Sequence, residues 1–125
     1  MKTIILILAL LFAPLSHAWE STQWNQWDDL DRSLFVAASV ATVIDWRQTQ
    51  QVAKHPEQWQ ELNTVIGGHP TSAKINQHFA LSIPAFYLGS SYMTPTQRKW
   101  YLGTVTAIEL AVAARNYKIG VRIGF

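Results

Sequence analysis

The sequence contains no cysteine. That excludes disulfides as a source of stability and excludes zinc sites built on thiolates. Charge is scarce as well: 14% of the residues are Asp, Glu, Lys or Arg, where ordinary soluble domains carry about a quarter. Ten basic residues stand against eight acidic ones, with no basic run. This balance gives no footprint for nucleic acid, so none is expected as a partner. There is no glycine-rich phosphate loop and no nucleophile-elbow serine. His55, His69 and His78 lack the i, i+4 spacing of a metal site, so neither metal nor cofactor is expected.

What is present is hydrophobic: 49% of the chain, with six tryptophans. The N-terminus MKTIILILALLFAPLSHA has a single basic residue, an apolar run and a small-x-small ending. That is the layout of a secretory signal peptide, so residues 1–18 are expected to be removed and residues 19–125 to form one exported domain. With few charges and no disulfides, the sequence points to lipid around part of the mature chain. The expected residence is a bacterial envelope membrane, inner or outer.

Three long helices are expected. The first runs from about Trp27 to Ala53 and contains the uncharged stretch SLFVAASVATVI. The second follows Thr71, a ready N-cap, and carries Pro84 inside a stretch free of formal charge from Ile75 to Gln97. The third starts at TPTQ, a capping box with proline at the first helical position, and runs from about Pro95 to Asn116. KHPEQWQEL reads as a short surface helix, and Gly67-Gly68 as a break needing positive φ. The fold class is therefore all-α, a small three- to four-helix membrane-associated bundle, with the lipid bilayer as partner. Trp24, Trp27, Trp46, Trp100 and Tyr101 are placed at the membrane interface, where an apolar ring with a polar edge fits. For Trp24 and Trp27 a packed N-terminal arm is the alternative.

Two helical stripes hold the candidate site. Ala38, Thr42, Asp45 and Thr49 share one face of the first helix, and Thr106, Glu109, Ala113 and Asn116 share one face of the third. Small and polar residues in such register act as glue between helices. Alternatively, Asp45 and Glu109, joined by His78, form a buried acid–base site, since burial separates the pKa values of paired carboxyls.

The segments DWRQT (45–49) and NTVIGGHPT (63–71), with NQHFAL and ARNYKIGVRIGF, resemble a family of small bacterial and phage membrane proteins. That family shows D-x-x-Q-T near the end of a first helix, then E-x-N-P-x-x-G-x-H-P-S. The resemblance covers about residues 30–125 and marks Asp45, Gln48, Thr49, Glu61, Asn63, Gly67, His69 and Pro70. Thr64 and Thr71 depart from the family's proline and serine. Physically, Asp45, Gln48 and Thr49 are expected to bond the 63–69 loop and pin it over the helix end.

The chain closes on YKIGVRIGF, where Tyr117, Ile119, Val121, Ile123 and Phe125 alternate with Lys118, Gly120, Arg122 and Gly124. This is a strand-period pattern, similar to the last strand of outer-membrane barrels. It implies a short β-strand that pairs with an envelope protein or with a second copy; a tail folded back on its own helices is the alternative. The functional expectation is a non-enzymatic exported membrane protein, most concretely a phage host-lysis or envelope-disrupting factor. A soluble periplasmic binding or structural module is the alternative, followed by a membrane-embedded acid–base enzyme.

Overall fold

The structure is a computed structural model that describes residues 22–124. The signal peptide expected at residues 1–18 falls outside the described residues, as does Phe125. A 3-10 turn, Trp24–Gln26, precedes α1 (Asp29–Lys54), α2 (Ser72–Ser91) and α3 (Pro95–Lys118). Capping residues set the helix starts, Thr71 and Thr94 as expected from the sequence and Asp28 in addition. Asp28 accepts from Asp31 N, Thr71 from Lys74 N, and Thr94 from Gln97 N within a complete capping box. Pro84 sits inside α2 without ending it.

All-α therefore holds. The three helices run up, down and up, so that α1 and α3 lie parallel: Asp31 meets Arg98 near both N-termini, and Asp45 meets Asn116 near both C-termini. The expected short helix is a single turn at 56–58, because only the His55 carbonyl collects the following amides, from Gln58 and Trp59. Trp59 is drawn off instead, its indole N–H donating to Ile119 O at 3.3 Å. Gly67 takes the expected positive φ of 86°, whereas Gly68 does not.

The apolar core is small and split. Trp27, Ala38 and Leu102 form one cluster with Phe35, Phe86 and Tyr87 packed on it, and Ile66, Ile75 and Phe79 form another with Trp46 and Ala53. Among the described residues nine buried polar ones nearly match the eleven buried hydrophobic ones. The fold thus depends on polar groups satisfying one another to an unusual degree.

The membrane expectation is corrected. No described helix is long and apolar enough to cross a membrane. Length is not the obstacle, since the 26 residues of α1 extend about 39 Å at 1.5 Å per residue. Low charge was not the same as high apolarity: Asn76, Gln77, His78 and the serines dilute α2 throughout. The assignment to an envelope membrane falls with it. The interface belt is redistributed too. Trp27 is buried among Trp24, Phe35 and Tyr87, Trp46 stacks on Phe79, and Tyr101 packs edge-on to Phe86, while Trp24 and Trp100 stay exposed.

The terminal strand is corrected as well: no strand occurs among the described residues. After α3 the chain turns at Gly120, φ 98°, and folds back on its own helices. Val121 N bonds Asn116 O at 2.9 Å and the Val121 side chain is fully buried. Arg47 donates to Gly124 O. A Cβ on Gly124 would collide with the Gln51 amide, 1.8 Å from its nitrogen, so the tail approaches α1 closely. Val121→Ala should therefore cost about 2 kcal/mol, the loss of two buried methyls plus the void they leave. Ile123→Ala, at an exposed position, should be near neutral in the same urea titration. Equal effects at the two positions would mean that the tail is not seated.

Candidate functional site

The two polar stripes do face each other. Ala38, Ala41 and Ala113 are buried at the α1–α3 contact and let the backbones approach. Thr42 and Thr106 do not act as cross-helix glue, because each hydroxyl donates to a carbonyl of its own helix, Ala38 O and Leu102 O, at 2.8 Å. The bridging falls to amides. Gln48 Nε2 donates to Ala113 O at 3.2 Å, and Asn116 Nδ2 divides between Asp45 Oδ1 and Gln48 Oε1, both at 3.4 Å.

Asp45 and Glu109 come within hydrogen-bonding reach of one another. Two ionised carboxylates at that separation repel and neither has a proton to donate. Burial, followed by the negative charges of Glu109 and Glu61, pushes Asp45 up to about 7. Burial also raises Glu109. Glu109 Oε2 is closed off from solvent with no donor to bond it. One proton held between the two carboxyls accounts for all of these facts.

The pair forms the floor of a cavity of about 440 Å³. Its walls are Val52 and Val112 with Leu62, Val65, Ile108 and Ile119, and Glu61, Asn63, Arg115 and Asn116 add polar groups. Leu62, Val65, Ile108 and Ile119 are large hydrophobics left exposed around this opening. The volume lies within the roughly 300–1,000 Å³ of small-molecule sites, which are also mostly apolar with a few placed polar groups. Among the described residues no cluster of His, Cys, Asp or Glu is arranged to hold a metal ion.

The residues singled out in the sequence divide. Asp45, Glu61, Asn63, Glu109 and Asn116 line the cavity, and Gln48 stands behind it. Thr49 is buried beside Asp45. His78 lies one step away, its Nε2 3.3 Å from Asn63 Nδ2, and burial lowers its pKa, so it is not a third member of the carboxyl pair. His69 is exposed and outside the cluster. The expected bonds from Asp45 and Gln48 to the 63–69 loop are replaced by bonds to α3, and the Thr49 hydroxyl is buried without a partner. The loop holds itself: Glu61 Oε1 accepts from Asn63 N, Asn63 Oδ1 from Val65 N, and Gly68 O from Glu61 N.

Sequence reasoning missed a second network, at the opposite end of the bundle. Arg98 is 1% exposed, yet every face of its guanidinium is used. Nη1 donates to Asp31 at 2.7 Å, Nε to Ser90 O at 2.9 Å, Nη2 to Thr22 Oγ1 at 2.6 Å and to Met93 O at 3.0 Å, and the group lies 4.6 Å over Trp27. Lys99 bonds both Asp28 and Asp31 and holds Asp28 below the usual carboxylate range. The signal in the sequence was DDLDR at one helix start and RK at another, complementary charges that meet only if the two helices are parallel. Comparisons with family models, curated proteins and solved structures give no match.

Proposed function

We propose that this chain is a non-enzymatic binding module whose α1–α3 cavity takes a small, mostly apolar molecule and sets its polar end against Asp45 and Glu109. The observation that carries the reading is the cavity itself. Apolar side chains make up most of the wall of a cavity of about 440 Å³, and a carboxyl pair, Asp45 and Glu109, stands among its polar groups. Residues that fill space for stability alone do not leave four large hydrophobics exposed around a void of that size.

The test uses the full chain and the neutral fluorophore N-phenyl-1-naphthylamine. Saturable one-site fluorescence enhancement with a micromolar Kd is expected. Val112→Phe, which fills the cavity from α3, should weaken binding at least tenfold while helical circular dichroism is unchanged. Absence of saturable binding to the wild type, or full binding by a folded Val112→Phe variant, would overturn the proposal.

A second reading is favoured by one observation: a carboxyl raised to about 7 stands beside a second raised carboxyl in a cleft, the arrangement used for proton transfer at neutral pH. Under that reading Asp45→Asn abolishes turnover of a bound substrate while binding persists. Under the binding reading no turnover exists to abolish.

A further inference from the structure

The polar atoms at the cavity floor are unequally divided. Acceptors are in surplus: the carboxylates of Asp45, Glu61 and Glu109 all face the opening, and Glu109 Oε2 is a buried acceptor with no donor. The amide donors nearest the pair are committed elsewhere, and the one hydroxyl beside Asp45, that of Thr49, is buried without a formed hydrogen bond. Gln48 Nε2 is used by Ala113 O, and Asn116 Nδ2 is stretched between two acceptors at 3.4 Å. Arg115 is the one cation of the lining; it is exposed, and its Nη1 points at Asn116 Oδ1, 3.4 Å away. Three carboxylates against one exposed guanidinium leave the floor net acidic.

Resting on the binding reading above, we propose that the occupant is an organic cation: an ammonium group carried on a hydrocarbon body. The ammonium supplies the N–H donors that the floor lacks, and its hydrocarbon covers Leu62, Val65, Ile108 and Ile119. A carboxylate or phosphate ligand would instead meet like charge in a desolvated site. The step is an exchange of charge: the proton shared by Asp45 and Glu109 leaves to solvent and the ammonium takes its place, forming no covalent bond.

The groups that face the pair determine its pH behaviour. Thr49 and Gln48 come from α1, Asn116 and Arg115 from α3, and Glu61 from the loop. His78 on α2 lies beyond Asn63, and burial lowers its pKa. Since alkylamines stay protonated well beyond pH 8, rising pH changes only the site, and affinity should rise from pH 6 to pH 8.

The experiment is calorimetric titration of the full chain with n-octylammonium, 1-octanol and octanoate, each also tested for displacing N-phenyl-1-naphthylamine. The expected result at pH 8 is octylammonium at least tenfold tighter than either analogue. At pH 6, titration in two buffers of different ionisation enthalpy should show net proton release, and Glu109→Gln should collapse the preference over octanol to within about threefold. If octanol or octanoate binds as well as the amine, the cation assignment falls while the cavity remains a binding site. If neither the three ligands nor the fluorophore binds, both proposals fall together.

Discussion

Arg98→Met is expected to lower unfolding free energy by about 3–5 kcal/mol, as removal of one member of a buried ion pair does. On a total of roughly 5–15 kcal/mol for a domain of this kind, that is a large fraction. The substitution keeps hydrophobic volume under Trp27 but removes four donors at once. Asp31, 1% exposed, retains only Lys99 as a cationic partner, at 3.0 Å. Ser90 O and Met93 O, carbonyls at the exit of α2, lose their donor and are already buried. The N-terminal arm loses one of its anchors at Thr22, whose N–H and hydroxyl still bond Ser91 O. Arg98→Lys should recover little, because an ammonium on a flexible stem cannot replace a planar fork that reaches four partners. The double variant Arg98→Met/Asp31→Leu should be more stable than Arg98→Met alone, since no isolated carboxylate remains. Urea titrations followed at 222 nm measure all three. A loss under 1 kcal/mol for Arg98→Met would show that the apolar clusters hold this end unaided.

The starts of α2 and α3 were legible because each is written in a local bond: Thr71 and Thr94 each cap from the residue immediately before the helix. The facing stripes around Asp45 and Glu109 were legible for a similar reason, since helical geometry alone places residues at those offsets on one face. What could not be read was burial. Arg98 and Lys99 at a helix start look like solvated flanks until α1 is known to run parallel to α3. The tail misled for a different reason: alternation at period two fits a strand, but it also fits a short segment that buries one side chain, Val121, and bends at its glycines. Gly120 and Gly124 were the available warning, because glycine inside a strand marks a bend or a close approach. The membrane assignment failed because absence of charge was read as presence of apolarity: Asn76 and Gln77 on α2 are exposed, while Thr42, Gln48 and Thr49 on α1 are buried in the bundle.

At the other end of the molecule, Asp45→Asn should make the protein more stable at pH 8 by roughly 2–4 kcal/mol and change it by less than about 1 kcal/mol at pH 4. The sign follows from the direction of the shift. Asp45 titrates near 3.8 in the unfolded chain and at about 7 in the folded one, with burial as the main cause. Between those values the folded state holds the proton that the unfolded state has released. Stability is thus fully present below about 3.8, declines as pH rises, and has lost this contribution once pH passes about 7. Glu109, raised in the same direction by burial, adds to the decline. Asparagine keeps the shape and the contact with Asn116, supplies an N–H to Glu109, and has no charge to desolvate, so its stability curve should be flatter over pH 5–8. A wild type whose stability does not fall over that range, or an Asp45→Asn variant no more stable at pH 8, would contradict the placement of this pair. The same substitution links stability to the cavity. A cation that binds the ionised pair stabilises the wild type in proportion to the logarithm of its concentration over Kd. Octylammonium should therefore raise the wild-type midpoint at pH 8 and move that of Asp45→Asn much less, so the variant that gains in stability loses in ligand response.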